Sequence, residues 1–124
     1  MRTAPALALL LLLGGAWGAH GQPMGKREWQ EQMEAVVPAS LCQGGSYFRT
    51  CFAQSAGACV NAARAALRAC LRRHDGQIPG TFRSGEDAGR WSRYLAACAG
   101  TEFESRNRKL KVSTGRCGDP GAWR

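Results

Sequence analysis

The chain has few of the residue types from which catalytic and metal sites are usually built. It holds 2 histidines, His20 and His74. Its most closely spaced cysteines are Cys51 and Cys59, so it has no C-x-x-C pair. Structural zinc sites are mostly built on such close pairs, and neither a metal nor another cofactor is expected. No G-x-S-x-G elbow, H-E-x-x-H helix or phosphate-binding glycine loop is present. Acids are outnumbered, 9 against 17 lysines and arginines. Long apolar runs are missing as well. The longest, Ala6 to Leu13, falls far short of the roughly 20 residues that a bilayer-crossing helix needs.

That run has another reading. Arg2 precedes it, and Gly14, Gly15, Ala16, Gly18, Ala19 and Gly21 follow. A positive start, a short apolar stretch and small residues make a secretory leader. Cleavage after Gly18 or Gly21 suits the small-residue rule, and Gly21 is favoured. Residues 1–21 are then the leader and 22–124 a single domain. No cysteine stands at the cleavage site to carry a lipid. The expected location is outside the cytoplasm, as a soluble periplasmic or secreted protein.

All six cysteines lie beyond the leader: Cys42, Cys51, Cys59, Cys70, Cys98 and Cys117. An even number in a small exported chain reads as a disulfide framework. Cys59 and Cys70 fall in one predicted helix, too far apart along its axis to bond. A hairpin turning near Ser55–Gly57 pairs Cys42 with Cys70 and Cys51 with Cys59, leaving Cys98 for Cys117. A hairpin turning near residue 80 pairs Cys59 with Cys98 instead, keeps Cys42–Cys70 and leaves Cys51 for Cys117. The first set is favoured.

Apolar spacing predicts four or five short helices. Trp29, Met33, Val36 and Val37 recur at helical intervals over Lys26–Val37, and Pro38 is expected to end that helix. Ser46 and Ser55 are N-cap candidates for the second and third helices. The third carries Cys59, Ala63, Ala66 and Cys70 on one stripe and Arg64, Arg68 and Arg72 on another. After a glycine-rich loop anchored by Ile78 and Phe82, Ser84 and Asp87 form a capping-box variant. A fourth helix bears Trp91, Leu95 and Cys98, and Gly100 interrupts or ends it. An extended piece over Leu110–Thr114 and a tail tied by Cys117 complete the chain. The expected fold is an all-α, disulfide-stabilised bundle.

The string Cys70-Leu71-Arg72-Arg73-His74-Asp75 resembles the active-site helix of secreted phospholipases A2. The resemblance implies His74 as general base and Asp75 as a calcium ligand. It covers about six residues. Cys70 stands one position too far from His74, Gly76 replaces an aromatic, and no calcium-binding glycine loop lies upstream. The same residues also read as a helix C-terminus, where a histidine is favourable.

The net charge of +8 suits an anionic partner, and export makes nucleic acid an unsuitable one. Arg106, Arg108, Lys109 and Lys111 form a cluster without acids inside it, and Trp123 stands in an aperiodic tail. These are the candidate partner-binding residues. The leading expectation is a non-enzymatic binding protein, such as a periplasmic inhibitor or an immunity-type protein, with another protein as partner. The alternatives are a cationic binder of anionic surface polymer or lipid head groups, and a small hydrolase using His74 and Asp75.

Overall fold

The computed structural model describes residues 23–123, so the expected leader and its cleavage site lie outside the described residues. The elements are β1 (Met24–Gly25), α1 (Lys26–Leu41), α2 (Tyr47–Thr50), α3 (Ala56–Arg73), β2 (Thr81–Phe82) and α4 (Gly85–Arg106). Short 3-10 turns follow at Arg108–Leu110, Gly115–Gly118 and Pro120–Trp123. The fold is a small all-α bundle braced by three disulfides.

Three serines start three helices. Ser46, Ser55 and Ser84 sit in extended backbone, and their hydroxyls accept from the N–H groups of Arg49, Ala58 and Asp87. Each satisfies a donor that the first helical turn leaves open. The expected return bond from Asp87 is absent, because its carboxylate takes Arg90 instead. Glu86 and Asp87 still place negative charge at the positive end of α4.

Two expected helix ends are corrected. Pro38 lies inside α1, which runs on to Leu41. Proline forfeits one backbone bond to the preceding turn, and the buried Val37 and Pro38 hold that turn in place. Gly100 does not interrupt α4. A Cβ there would stand 3.2 Å from Cζ of Phe48, so the glycine lets that ring close on the helix.

α1 and α3 run antiparallel, as do α3 and α4. At one end, β1 pairs with β2 with Met24 opposite Phe82, and the Lys26 N–H donates to the Gly80 carbonyl at 3.0 Å. Trp29, Met33 and Val37 of α1 meet Leu67 and Leu71 of α3 and Leu95 of α4 in one apolar cluster. The loop anchors Ile78 and Phe82 complete it. A second cluster at the other end gathers Phe52 and Phe103 around alanines of α3 and the Cys42–Cys59 and Cys51–Cys117 disulfides, while Cys70 and Cys98 belong to the first.

The disulfides depart from both expected sets. Cys42 pairs with Cys59, Cys70 with Cys98, and Cys51 with Cys117. The favoured Cys42–Cys70, Cys51–Cys59 and Cys98–Cys117 set is therefore corrected. It needed a hairpin between α2 and α3, but α2 is a single turn. The partner of α3 is the long α1, whose C-cap Cys42 comes to 5.8 Å (Cα–Cα) from Cys59 in the first turn of α3. The far end of α3 then faces α4, which brings Cys70 to Cys98. Only Cys51–Cys117 of the rival set is present.

The extended piece after α4 pairs with the segment after α2. Phe52 and Lys111 form an antiparallel bridge. The Ala53 N–H donates to Leu110 and the Val112 N–H to Cys51, at 2.9 and 2.8 Å.

Candidate binding surfaces

The expected partner-binding residues separate into two groups. Arg106 and Lys111 are engaged within the fold. The Arg106 guanidinium meets Glu102 at 3.0 Å, and Glu102 also holds Arg73 at 3.1 Å. Lys111 meets Glu104, which also accepts from the Tyr47 hydroxyl at 2.8 Å. The cluster contains no acid of its own, but the preceding turn of α4 supplies two. Hydrogen bonds from Arg106 and then Arg73 hold the Glu102 carboxyl below its ordinary range. Lys111, with help from Tyr47, does the same for Glu104, and the Lys111 ammonium is correspondingly raised. Burial is the main cause that raises Tyr47. Among the described residues, Arg108 and Lys109 have no acid partner, and both are exposed.

Trp123 packs back on the bundle. Its ring meets Tyr47 edge-on at 5.7 Å, its indole N–H donates to the Arg116 carbonyl, and the Arg116 guanidinium lies 4.2 Å above it. Sequence reading missed Tyr47, Glu104 and Arg116 as parts of this clasp. The unit joins α2, α4 and the tail, and no local spacing links them.

His74 and Asp75 face different partners. His74 is the C-cap of α3. Its Nδ1 lies 3.1 Å from Gln77 Oε1, and its ring meets the Tyr94 ring. Asp75 Oδ1 holds the Lys26 ammonium at 2.8 Å. The two side chains are engaged separately, not as a pair.

An open, mostly apolar groove of about 380 Å³ lies between α1 and α4. Met33, Val36, Val37, Leu41 and Ala96 line it, together with the polar Gln32 and Arg93. At its foot the Trp29 indole N–H donates to Ser92 Oγ at 2.9 Å, which fixes the two helices side by side. Val36 was expected to share the buried stripe of its helix, yet it is 62% exposed. The apolar face of α1 is wider than the contact it makes with α3 and α4. That excess is visible in the sequence as the adjacent pair Val36-Val37. Which of the two reaches the core depends on the position of α4.

Among the described residues no helix is long and apolar enough to cross a membrane, and no cluster of His, Cys, Asp and Glu is arranged to hold a metal ion. Neither a curated protein nor a solved structure matches the chain. The family described as "T2SS substrate NttA" matches residues 23–111. The match takes in α1 to α4, with every cysteine except Cys117. The chain therefore belongs to the T2SS substrate NttA family and is an exported protein.

Proposed function

We propose that this exported domain is a non-enzymatic binding protein whose partner is another protein outside the cytoplasm. The observation that carries the reading is the α1–α4 groove. It offers a mostly apolar lining with polar Gln32 and Arg93 on a disulfide-braced frame. Protein interfaces combine an apolar centre with a polar edge. Arg93 has no acid partner among the described residues, so a partner that brings an apolar side chain and a carboxylate fits it. His74 and Asp75, each engaged elsewhere, support a role without catalysis. Membership in a family of type II secretion substrates supports action outside the cell over a periplasmic immunity role.

The test is a pull-down with the oxidised protein and its Val36→Asp variant, at low salt and at roughly 0.5 M salt, where surface charge pairs are screened. One protein retained by the parent at both salt levels and lost by the variant supports the reading. Equal retention by both proteins contradicts it.

A second reading rests on Arg108 and Lys109, exposed beside α4 with no acid partner among the described residues. A binder of anionic surface polymer would use this end. Its binding would fall steeply with salt and would ignore Val36→Asp.

A further inference from the structure

On the face away from the α1–α4 groove, α4 carries two aromatic residues one turn apart. Tyr94 is 53% exposed, although a solvent-facing position on a helix is normally filled by a polar residue. Trp91 is half-buried beside it, with the rings edge-to-face at 5.8 Å. On its other side the His74 ring stands edge-on to Tyr94 at 5.1 Å. Tyr94 is thus steadied between two rings while much of it stays open to solvent. Gln77 and Arg90 flank the aromatic pair and close a shallow cleft of about 450 Å³.

We infer that this cleft binds a neutral sugar ring, stacked on Tyr94 with the perpendicular Trp91 ring at its side, and hydrogen-bonded at its edge by Gln77 and Arg90. A pyranose has one apolar face of C–H groups and a rim of hydroxyls. An exposed aromatic face covers the first, and planar amide and guanidinium groups serve the second. The charge pairing selects against an anionic occupant. Arg90, the charged residue that lines the cleft, is already paired with Asp87, so it offers little free charge to an anion. What remains is the exposed part of the Tyr94 ring beside polar groups whose charge is paired. This site lies apart from the groove assigned to a protein partner, and its failure leaves that assignment standing.

The test uses the oxidised protein on an array of neutral hexose and N-acetylhexosamine oligosaccharides, with acidic oligosaccharides alongside. Tyr94 is exposed, so Tyr94→Ala should leave the helical circular dichroism unchanged. The expected result is binding to neutral glycans that survives about 0.5 M salt. Tyr94→Ala should weaken it at least about tenfold, the loss of one aromatic contact, and Tyr94→Phe should retain it. Three results would overturn the inference: no neutral ligand on the array, undiminished binding by Tyr94→Ala, or capture of acidic glycans alone with loss in salt.

Discussion

Gly89 and Gly100 lie in the same helix, yet a methyl group at each meets a different neighbour. At Gly89 the nearest atom is the mobile tip of Arg93, at 3.4 Å. At Gly100 it is the Phe48 ring, at 3.2 Å, and Phe48 is itself wedged against Phe52 and Phe103. Alanine normally stabilises a helix interior by about 1 kcal/mol relative to glycine. Gly89→Ala should show most of that gain in thermal unfolding. Gly100→Ala should show none and should lower the midpoint, because the ring has no room to retreat. Equal gains at both positions would mean that Phe48 is not packed as described. A glycine inside a helical pattern reads in sequence as a break. Only the approach of a ring from a distant helix shows otherwise.

Glu104 is the other instructive residue. It joins Tyr47 of α2 to Lys111 of the extended piece, and its carboxyl is held below the ordinary range, by Lys111 first. A carboxylate with a lowered folded pKa stabilises fully above its unfolded value, about 4.3. That contribution fades as pH falls through the lower folded value. The raised Lys111 ammonium contributes below its unfolded value, about 10.4, and loses that contribution as pH rises through the higher folded one. The tail should therefore be held most firmly from weakly acidic to weakly alkaline pH. In Glu104→Gln, tail release followed by Trp123 fluorescence should lose much of its acid dependence. An unchanged acid limb would remove Glu104 from the clasp.

At the scale of elements, the helix starts were legible in the local sequence, while the stops expected at Pro38 and Gly100 were not. Ser46, Ser55 and Ser84 each act on a backbone N–H three residues ahead, so the starts of α2, α3 and α4 were legible. Ile78 and Phe82 stood out as the large apolar residues of their loop, and both are buried. The disulfide pairing was not legible, because it depends on which helices lie side by side. The sequence places α2 next to α3, and a hairpin there was the natural expectation. The length of α1 decides otherwise, by carrying Cys42 back to the start of α3. Val36 failed for the same reason, since its exposure is set by where α4 crosses α1. Non-reducing peptide mapping should find Cys42–Cys59, Cys51–Cys117 and Cys70–Cys98. Recovery of a peptide joining Cys42 to Cys70 would contradict this arrangement of α1, α3 and α4.

For the molecule as a whole, the disulfides matter because the core is thin. Ala63, Ala66, Ala69 and Ala99 occupy buried positions, and alanine removes little apolar surface from water. A disulfide in a small exported domain contributes about 2–5 kcal/mol. Cys51–Cys117 spans 66 residues, the longest separation of the three, so its effect on the unfolded chain is the largest. It also anchors the tail that carries Arg116 and Trp123. Replacing Cys51 and Cys117 together by alanine should free the tail to proteolysis after Arg116 while α1, α3 and α4 stay folded. Replacing Cys70 and Cys98 should instead loosen the packing of α3 on α4 and lower the whole unfolding midpoint. Matching proteolysis patterns for the two variants would mean that the bonds do not divide the work in this way.

The most direct test of the central claim is photo-crosslinking from the groove. A benzophenone side chain placed at position 36 of the oxidised protein should give one discrete protein adduct in a target extract. The parent protein should compete it away and the Val36→Asp protein should not, while the same probe at position 108 should give no such adduct. An adduct from position 108 alone, or none from position 36 that the parent competes away, would contradict the assignment of the α1–α4 groove as the binding site.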